Sequence, residues 1–414
     1  MSIQVAAARR ILFLTPQVPY PPEQGTAIRN YNLLTNVAQR HQVALLSFAE
    51  ADSPDIGPLR ALCERVALVR TPSRSQSDRL RTLLSTRQPD MAERLLSETF
   101  WAALQDMITS WPCDVVQVEG IELGPYALRL RQWLGERCPA IVFDDHNAEY
   151  LMQQRVCAAD ARQPRRWAAA LYSLVQWRRL LRYESQVCRA ATAVVCVSDA
   201  DAAALRRAVP GLEPVVIPNG VDAQRYRAGG EAPLALQHPA LLFTGKMDYR
   251  PNIDAVVWFA NEVLPVVQAV RADATFYIVG KAPHARVQAL ETLSGVVVTG
   301  YVPDVLPYFD SADVYVAPLR VGGGTRLKVL ETLAAGLPLV STRLGVEGIA
   351  IEHGRHALLS DTVGGLAEAV LRLIGDADLR ARLAENGRDF VSAQYDWERL
   401  APRLDDVYAS VACG

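Results

Sequence analysis

The stretch VYVAPLRVGGGTRLKVLETLAAGLPLVST, from Val314 to Thr342, contains a strand–helix–strand pattern. Short aliphatic runs open and close it, and between them apolar residues recur at helical spacing. Strands that are connected through a helix in this way run parallel and are covered on both faces. The stretch predicts an α/β fold. Its three glycines lie directly before the helix, where backbone N–H groups can approach a ligand closely.

The same alternation of aliphatic runs and helical segments extends over the whole chain. In the first half the runs are ILFLT (11–15), VALLSF (43–48), DVVQVE (114–119), AIVFDD (140–145) and TAVVCVS (192–198). In the second half they are VVIP (215–218), ALLFTG (240–245), FYIVG (276–280), VVVTG (296–300), VYVAPL (314–319) and LPLVST (337–342). Such runs predict parallel strands in two doubly wound, Rossmann-like α/β domains.

Each half opens with a strand, a polar or Pro-rich loop and an amphipathic helix, over roughly 27–39 and 253–270. The Pro- and Gly-rich region around 210–233 is the predicted boundary. We expect an N-terminal domain over 1–210, a C-terminal domain over 211–390, and a helix over 391–414 that packs back on the first domain. Ligands of open α/β sheets bind beyond the carboxyl ends of the strands. We therefore expect the site in a cleft between two such edges.

Length, composition and charge restrict the functional classes. A chain of 414 residues exceeds one ordinary core and favours two domains. Half of the residues are hydrophobic and 21% are charged, as in a soluble globular enzyme. A formal net charge of -2 gives no support for a nucleic-acid-binding protein.

The cysteine and apolar patterns predict a cytoplasmic protein without a metal site. The seven cysteines occur singly, with neither a CxxC pair nor a Cys/His cluster of zinc-like spacing. The apolar run after Arg10 is broken by Pro16, which is typical of a buried strand and not of a signal peptide. The sequence contains no uninterrupted run of about 18 apolar residues, so we predict no membrane span.

Two common phosphate-binding motifs are absent. Gly322 and Gly324 supply the first part of a dinucleotide fingerprint, but Leu327 occupies the position of its third glycine. Lys246 and Lys281 each follow a glycine, yet neither is followed by the Ser or Thr of a Walker A loop. The sequence therefore lacks the motifs that would best support a nicotinamide-dependent enzyme or an ATPase.

The glycine stretch instead has features of an anion site. Thr325 is the predicted N-cap, and Arg326 and Lys328 add two positive charges at a helix terminus that already favours anions. Phosphate is the natural ligand, and the alternative is a structural turn with solvated cations. Glu331 points back toward this terminus. It either accepts two hydrogen bonds from a ribose diol or forms an ion pair with Lys328.

Loops after other predicted strands carry further candidates. These are Gly25, Thr26 and Arg29 in PQVPYPPEQGTAIRN (16–30), His146 and Glu149 in DDHNAEY (144–150), and Lys246 after ALLFTG. A histidine beyond a strand end is a better candidate than one on an apolar face. A single loop lysine, by contrast, is more often solvated than functional.

The segment ARQPRRWAAALYSLVQWRRLLRYES (161–185) mixes arginine with Trp and Tyr at helical spacing. It has two interpretations. The helix lies on a membrane surface or meets a lipid-linked acceptor, or it buries its Trp and Leu face and solvates its arginines. The second arrangement is the commoner one, and we favour it.

In their order along nearly the whole chain, these motifs resemble the GT-B glycosyltransferases of family 4. The resemblance is carried by the Pro/Gly loop after the first strand, DVVQVEG (114–120), FDDHNAE (143–149), AVVCVSDAD (193–201), VIPNGVD (216–222), LLFTGKMDYRPN (241–252), YIVG (277–280), TGYVPD (299–304), the glycine-helix stretch and YDWERL (395–400). The form GGGTRLKVLE (322–331) is most similar to bacterial sugar transferases of exopolysaccharide loci.

The resemblance implies a nucleotide-sugar donor, usually a UDP-sugar, and transfer to an acceptor hydroxyl with retention at the anomeric carbon. It implies no cofactor and no required metal, because protein cations and helix amides contact the diphosphate. The implied acceptor is a sugar, a lipid-linked molecule or another small molecule, in bacterial polysaccharide or glycoconjugate biosynthesis. The implied location is the cytoplasm, with peripheral contact at the inner face of the membrane as an option.

Residues and resemblance together predict three groups of site residues. The catalytic group is His146, Lys246 and Arg326. The donor-binding group is Gly25, Gly245, Tyr301, Val302, Gly322, Gly323, Gly324, Thr325, Lys328 and Glu331. The acceptor-side group is Thr26, Arg29 and Glu149. By resemblance, His146 contacts the donor sugar near the reacting carbon, the backbone at Tyr301 and Val302 receives the base, and Glu331 binds the ribose.

One departure from the family concerns the donor sugar. The family commonly has two glutamates eight residues apart, but Gly323 stands eight residues before Glu331. The sugar must then be contacted by backbone amides of 322–325 or from elsewhere. Two other functions stay open: a nucleotide-sugar epimerase on the same architecture, and a non-catalytic nucleotide-sugar-binding partner.

A second departure concerns the diphosphate. The family's second base, six residues after Lys246, is here Asn252, and we hypothesise that Arg326 or Lys328 replaces it. No carboxylate is convincingly placed as a covalent nucleophile. The sequence therefore favours a front-face displacement in which His146 orients the sugar.

Overall fold

The structure, a computed structural model, describes residues 8–22, 25–50, 55–75, 78, 82, 85–161, 164–228, 234–322 and 326–411. Gly323, Gly324 and Thr325, which were predicted to contact the donor, lie outside these residues. The chain divides into two compact units, Met1–Pro218 with Leu400–Gly414, and Asn219–Arg399. The sequence predicted a boundary between residues 210 and 211, whereas the units meet between Pro218 and Asn219. The C-terminal segment was predicted to begin at 391, whereas the chain returns to the first unit at Leu400.

The first unit contains a parallel sheet of seven strands. They are β1 (Arg10–Thr15), β2 (Gln42–Ala49), β3 (Arg65–Arg70), β4 (Val115–Glu119), β5 (Ala140–Asp145), β6 (Ala193–Cys196) and β7 (Val215–Val216). Their order is β3-β2-β1-β4-β5-β6-β7. Nearly every residue of β1, β2 and β4 is buried, so these strands are continuous aliphatic runs without polar alternation.

Eight helices of the described residues precede or follow these strands. They are α1 (Gly25–Ala38), α2 (Gly57–Leu62), α3 (Asp90–Arg94), α4 (Glu98–Ser110), α5 (Gly124–Leu134), α6 (Glu149–Ala161), α7 (Trp167–Ala190) and α8 (Asp199–Ala208). Ser97 and Ser198 cap α4 and α8 by accepting hydrogen bonds from Phe100 N and Asp201 N. Helices α6 and α7 pack against each other as a hairpin.

The second unit contains a parallel sheet of six strands. They are β8 (Ala240–Thr244), β9 (Thr275–Val279), β10 (Val296–Gly300), β11 (Val314–Ala317), β12 (Leu339–Ser341) and β13 (Leu358–Leu359), in the order β10-β9-β8-β11-β12-β13. Its helices are α9 (Ala223–Ala228), α10 (Arg250–Trp258), α11 (Leu264–Gln268), α12 (Ala285–Gln288), α13 (Leu306–Ser311), α14 (Leu327–Ala335), α15 (Val363–Gly375), α16 (Ala377–Gln394) and α17 (Trp397–Leu400). A π-helical turn at Phe259–Val263 joins α10 to α11.

The last helix, α18 (Pro402–Val411), belongs to the first unit and contacts α1. The buried Tyr408 hydroxyl donates to Gln117 Oε1 of β4 at 3.1 Å. Just after the C-terminus of α1, His41 lies 3.3 Å from Asp405 of α18, and Arg40 forms an ion pair with the same carboxylate. Polar and apolar contacts together hold this helix on the first unit.

The α/β fold with two parallel sheets is confirmed, and every strand predicted from the sequence is present. One assignment was wrong. VVIP (215–218) was placed in the second half, but β7 pairs with β6 and extends the first sheet. Two strands were not predicted: β3, whose residues are mostly half-exposed, and β13, which has two residues. In the described part of the chain, no helix combines the length and apolar character needed to cross a bilayer.

Candidate functional site

The N-terminus of α14 is the centre of the candidate donor site. The helix begins at Leu327, and Arg326 occupies its N-cap position, so the prediction of Thr325 as the N-cap was wrong. Val329, Leu330 and Leu333 are buried against the sheet. That packing leaves Lys328 and Glu331, three residues apart, together on a neighbouring face of the helix.

Lys328 contacts the residue that stands where the family carries its second base. Its Nζ donates to Asn252 Oδ1 at 2.8 Å and lies 4.0 Å from the centroid of the Phe243 ring. Asn252 Nδ2 in turn donates to the backbone oxygen of Lys246 at 2.9 Å. The Asn252 amide therefore connects the two lysines that were predicted to contact a diphosphate.

Burial leaves Lys328 poorly stabilised as a cation. Burial, and then the positive charge of Arg326, lower the pKa of Lys328 to about 7, while the Glu331 carboxylate opposes the shift. Burial also lowers the pKa of the Arg326 guanidinium, with Tyr249 and Glu347 opposing it. An anion bound at this terminus would offset the desolvation of both groups.

Glu331 makes a hydrogen bond that sequence analysis did not find. The hydroxyl of Tyr226, on α9, donates to its carboxylate. Burial raises the pKa of Glu331, and the Tyr226 hydrogen bond and Lys328 partly oppose that shift. Tyr226 is itself buried and contacts the Phe309 ring edge-on at 5.8 Å between centroids. Tyr226 thus fixes the carboxylate that was predicted to hold a ribose.

Two glycines let the loops after β8 and β9 approach each other. Gly245 has φ +148° and Gly280 has φ +151°. A Cβ on Gly280 would lie 1.7 Å from the backbone oxygen of Gly245, and a Cβ on Gly245 would lie 2.9 Å from Lys328 Nζ. A side chain at Gly280 would clash with the Gly245 backbone, and a side chain at Gly245 would fill the space beside Lys328.

The other predicted donor residues of the second unit are less enclosed. Lys246 is half-exposed and lies 3.3 Å from Asp248. Tyr301 is exposed and Val302 is partly buried beyond the end of β10. Gly322, with φ +108°, would place a Cβ 3.4 Å from the Arg326 guanidinium. The exposed side chains of Lys246 and Tyr301 are therefore accessible to a ligand.

In the first unit, Arg29 and Asp144 form a buried ion pair. Arg29 Nε and Nη2 donate to the two oxygens of Asp144 at 2.9 and 3.0 Å, and both side chains are at most 2% exposed. Arg29 Nη1 also donates to the backbone oxygen of Ile217 at 3.0 Å. Since the guanidinium is buried among protein acceptors, this placement contradicts the acceptor-side role predicted for Arg29.

His146 lies at the end of β5 and contacts the neighbouring strand. Its Nε2 is 2.9 Å from Glu119 Oε2 of β4. Burial disfavours the imidazolium, but the carboxylates of Glu119 and Asp144 outweigh it and raise the pKa of His146. Gly120, beside the His146 ring, has φ +87°, a backbone conformation that favours glycine. The ring is thus oriented by Glu119.

Among the described residues, the ligand atoms of Glu119, Asp144 and His146 lie within 4.8 Å of one another, a spacing that suits a metal ion. The guanidinium of Arg29, however, already contacts both oxygens of Asp144. A cation bound there would lie beside that guanidinium. We assign no metal to this group.

A second group of buried carboxyls follows β5. Glu184 of α7 accepts hydrogen bonds from the backbone N–H groups of Glu149 and Tyr150, each at 2.9 Å, at the start of α6. Asp145 lies in hydrogen-bonding contact with Glu184, and burial raises the pKa of Asp145 well above its usual range. Burial also raises the pKa values of Glu149 and Glu184 to about 7. Burial therefore favours the protonated form of Asp145 and of Glu184.

A cavity of about 460 Å³ lies within the first unit. Its lining includes Thr26, Glu122, His146, Asn147 and Glu149. The predicted acceptor-side residues Thr26 and Glu149 therefore share one cavity with His146, whereas Gly25 is exposed at the first position of α1. Sequence reasoning missed Asp145 and Glu184, although Asp145 stands beside His146 in the DDHNAEY motif.

Comparisons with known proteins agree with this architecture. Residues 24–225 match the family model described as Glycosyltransferase Family 4, and residues 238–376 match that of Glycosyl transferases group 1. A Mycobacterium tuberculosis protein named GDP-mannose-dependent alpha-(1-6)-phosphatidylinositol monomannoside mannosyltransferase is 30% identical over 217 residues, which are 46% of this chain and 54% of that protein. The chain thus spans about half the length of this curated relative.

Two solved structures are similar over nearly the full length. Sucrose-phosphate synthase from Thermosynechococcus elongatus superposes with a TM-score of 0.70 at 19% identity, covering 97% of this chain and 99% of the other. Anabaena HepE in complex with UDP superposes with a TM-score of 0.67 at 15% identity, covering 97% and 100%. At these identities the likeness concerns the fold.

Proposed function

Because the chain belongs to the group 1, family 4 glycosyltransferases, we propose that it moves a sugar from a nucleotide-sugar donor to an acceptor hydroxyl with retention at the anomeric carbon. The observation that carries the proposal is the group formed by Lys328, Asn252, Arg326 and Glu331 at the start of α14. It combines two desolvated cations with a carboxylate that suits a diol. The donor that we propose first is a UDP-sugar.

In this proposal the diphosphate binds at the α14 terminus. Lys328 and Arg326 supply positive charge, and Lys246 adds a third, more exposed cation. The charge on the diphosphate grows as the glycosidic bond breaks, and cations placed beforehand stabilise it by a few kcal/mol per group. Lys328 takes the place of the base that the family carries at the position of Asn252. No metal ion is required for this part of the reaction.

The transfer itself is proposed to be a front-face displacement. The acceptor oxygen attacks the anomeric carbon on the side from which the diphosphate leaves. The bond between that carbon and the diphosphate oxygen breaks, and the acceptor proton passes to the departing diphosphate. His146, held by Glu119, orients the donor sugar in this scheme and does not act as the base. Thr26 and Glu149 are proposed to contact the acceptor.

The remaining donor contacts are proposed for the ribose, the base and the sugar. Glu331 accepts hydrogen bonds from the two ribose hydroxyls, and the backbone at Tyr301 and Val302 receives the base. Amides of the 322–325 segment contact the sugar where the family has a glutamate and this chain has Gly323. The acceptor is a sugar, a lipid-linked molecule or another small molecule. The proposed setting is polysaccharide or glycoconjugate synthesis in the cytoplasm.

A thermal-shift screen tests the donor assignment. A ligand that binds only the folded protein raises its melting temperature by mass action. The relative named above uses GDP-mannose and a structural neighbour holds UDP, so UDP, GDP and ADP and their sugar conjugates all belong in the screen. We expect the largest shift from UDP. A larger shift from GDP would transfer the proposal to a GDP-sugar.

Two substitutions separate binding from transfer. We expect Glu331→Ala to weaken binding of the nucleoside diphosphate, and His146→Ala to preserve that binding while reducing transfer. Glu368→Ala, on the exposed face of α15, is the matched control. If Glu331→Ala binds the diphosphate as tightly as the parent, the ribose assignment is wrong.

Two other functions remain as alternatives. A nucleotide-sugar epimerase would turn over the donor without an acceptor, and the feature that favours it is the group of carboxyls formed by the buried Asp145 and Glu184 and the partly buried Glu149. A non-catalytic nucleotide-sugar-binding partner would bind the diphosphate without transfer to any acceptor. Product analysis with and without acceptor distinguishes all three functions.

A further inference from the structure

The first two turns of α7 present large apolar side chains at the surface. Trp167 and Leu171 are each 64% exposed, and on α6 Val156 is 46% exposed. The sequence analysis favoured a helix that buries its Trp and Leu face. That interpretation is correct for Leu180, which is buried, and wrong for the start of the helix.

Positive charge surrounds these apolar side chains. We define the α6–α7 surface by its exposed residues Arg155, Val156, Arg165, Trp167, Leu171, Arg178 and Arg182. On α7, Trp167, Leu171, Arg178 and Arg182 recur at intervals of four and seven residues and so share one face.

No acidic side chain is exposed among the described residues of these two helices. Glu149 is partly buried, Glu184 is buried, and Asp160 is buried in an ion pair with Arg166. The surface is therefore apolar and cationic together, although the whole chain has a formal net charge of -2. A favourable partner must offer an apolar phase and negative charge at the same place.

We propose that the α6–α7 surface docks the first unit on an anionic lipid bilayer. Trp167 and Leu171 enter the boundary between headgroups and acyl chains, where an indole satisfies both its apolar ring and its N–H group. Arg165, Arg178 and Arg182 lie over the lipid phosphates, and their stems extend along the apolar face. The helix lies in the plane of the interface without crossing it.

Charge argues against a second copy of the chain as the occupant. A two-fold interface sets the same patch of both copies face to face. Arg178 and Arg182 would then oppose the same arginines of the other copy, and like charges in a desolvated interface are unfavourable. Anionic lipid neutralises these arginines and covers Trp167 at the same time.

Vesicle co-sedimentation of the full chain tests the proposal. The probes are phosphatidylcholine vesicles with and without phosphatidylglycerol, at low and high salt. We expect binding that requires the anionic lipid and weakens with salt. Trp167→Ser with Leu171→Ser should weaken it about tenfold or more. Each neutralised arginine, Arg178→Gln or Arg182→Gln, should weaken it roughly fivefold.

Matched controls lie elsewhere on the first unit. Trp133→Ser changes an exposed tryptophan on α5, and Arg60→Gln an exposed arginine on α2. Both should bind vesicles as the parent does, and all variants should keep the parent's circular dichroism spectrum. The proposal is overturned if the parent does not bind anionic vesicles, or if Trp133→Ser weakens binding as much as the α7 variants do. It is also overturned if sedimentation analysis shows a dimer that Leu171→Ser dissociates.

This inference is independent of the donor assignment. Thermal shifts with nucleoside diphosphates report on the second unit, whereas vesicle binding reports on α6 and α7 of the first. A chain that binds anionic vesicles but no nucleotide would retain the docking surface and contradict the proposed function. A chain that binds a nucleotide but no anionic vesicles would leave the proposed function in place and contradict the docking surface.

Discussion

The two units place their polar side chains at equivalent edges of sheets with matching central strand orders, yet the two clusters have opposite electrostatic character. In the first unit the buried Asp144 is paired with Arg29, and His146 with Glu119. In the second unit Lys328 contacts an amide and an aromatic ring, and the pKa of Lys328 is lowered to about 7. Topology decides where such clusters form, and the side chains decide what they bind.

This difference separates a cluster that is complete from one that is prepared for a ligand. Charges that are paired within the protein stabilise the local structure and hold neighbouring groups in place. A buried cation whose charge is not fully compensated destabilises the folded protein. An anion that pairs with this cation removes that cost, so it binds more tightly and stabilises the folded state. Glu331 does not fully compensate Lys328, because burial and the charge of Arg326 outweigh the attraction of its carboxylate.

Removing one charge of the first cluster should have the largest effect. Arg29→Met leaves Asp144 buried without its ion-pair partner, and we expect the free energy of unfolding to fall by about 3–5 kcal/mol. Urea denaturation measures this change. The double variant Arg29→Met with Asp144→Asn should be more stable than Arg29→Met alone, because no unpaired carboxylate is buried. Equal stabilities would show that the pair is not the complete cluster described here.

Removing the charge of the second cluster should have the opposite sign on stability. Lys328→Met keeps the stem of the side chain and removes a poorly stabilised cation, so the ligand-free protein should melt at a higher temperature. Diphosphate affinity should fall about a hundredfold, since a charge-assisted contact is lost. Calorimetry and thermal melting measure the two effects.

A second substitution provides the control for the loss of this cation. Adding Asn252→Lys to Lys328→Met returns a positive charge to the same place and should recover part of the affinity. If Lys328→Met lowers the melting temperature of the free protein, or if the double variant recovers nothing, the comparison between the clusters fails at this point.

Buried titratable groups of the two units should also respond to pH in opposite directions. In the first unit, Glu149 and Glu184 have pKa values of about 7 against 4.5 for the ordinary group. The folded state holds these protons longer than the unfolded chain does. Stability should therefore fall by about 1–2 kcal/mol per group as pH rises from 5 to 7.

In the second unit, folding stability should instead increase as pH rises. Unfolded Lys328 keeps its proton up to about its ordinary pKa of 10.5, whereas the folded group loses it near 7. Its contribution to stability should therefore rise between pH 7 and 10. Denaturation profiles of Glu184→Gln and Lys328→Met should each be flatter than the parent's in the corresponding window. Profiles that match the parent's would contradict the assignment of these groups.

The smallest predicted effect concerns Tyr226. Tyr226→Phe keeps the ring packed on Phe309 and removes the hydroxyl that holds Glu331. We expect UDP affinity to fall about fivefold, near 1 kcal/mol for one hydrogen bond. Binding of 2′-deoxy-UDP should change less, because that ligand already lacks one contact with Glu331. Tyr308→Phe, at a partly buried tyrosine of the same unit, is the control. A Tyr226→Phe variant with unchanged UDP affinity would make Tyr226 a packing residue only.

The strands of both sheets were predictable because parallel strands buried on both faces are continuous aliphatic runs. The two missed strands, β3 and β13, lack that property. VVIP was recognised as a strand but placed in the wrong half, because pairing with β6 depends on contacts that its four residues do not encode. The predicted helix over 253–270 is interrupted by a π-helical turn, which its apolar spacing did not indicate.

The candidate site was predictable where one local motif contains both the side chain and its context. Lys328 and Glu331 follow the glycines, and His146 follows β5, as predicted. The partners of these residues were not predictable, since they come from distant segments. Tyr226 lies on α9, and Glu184 lies in the C-terminal half of α7. Arg29 was assigned to the acceptor because its 115-residue separation from Asp144 conceals their ion pair.

The amide of Asn252, described above as the connection between Lys246 and Lys328, has a consequence for protein engineering. Positions 252 and 328 are 76 residues apart in the chain but 2.8 Å apart at their side-chain atoms. A library that randomises one position at a time would score most changes at either position as inactive. We expect active variants when both positions are changed together, so positions 252 and 328 should be mutated as a pair in attempts to alter donor preference.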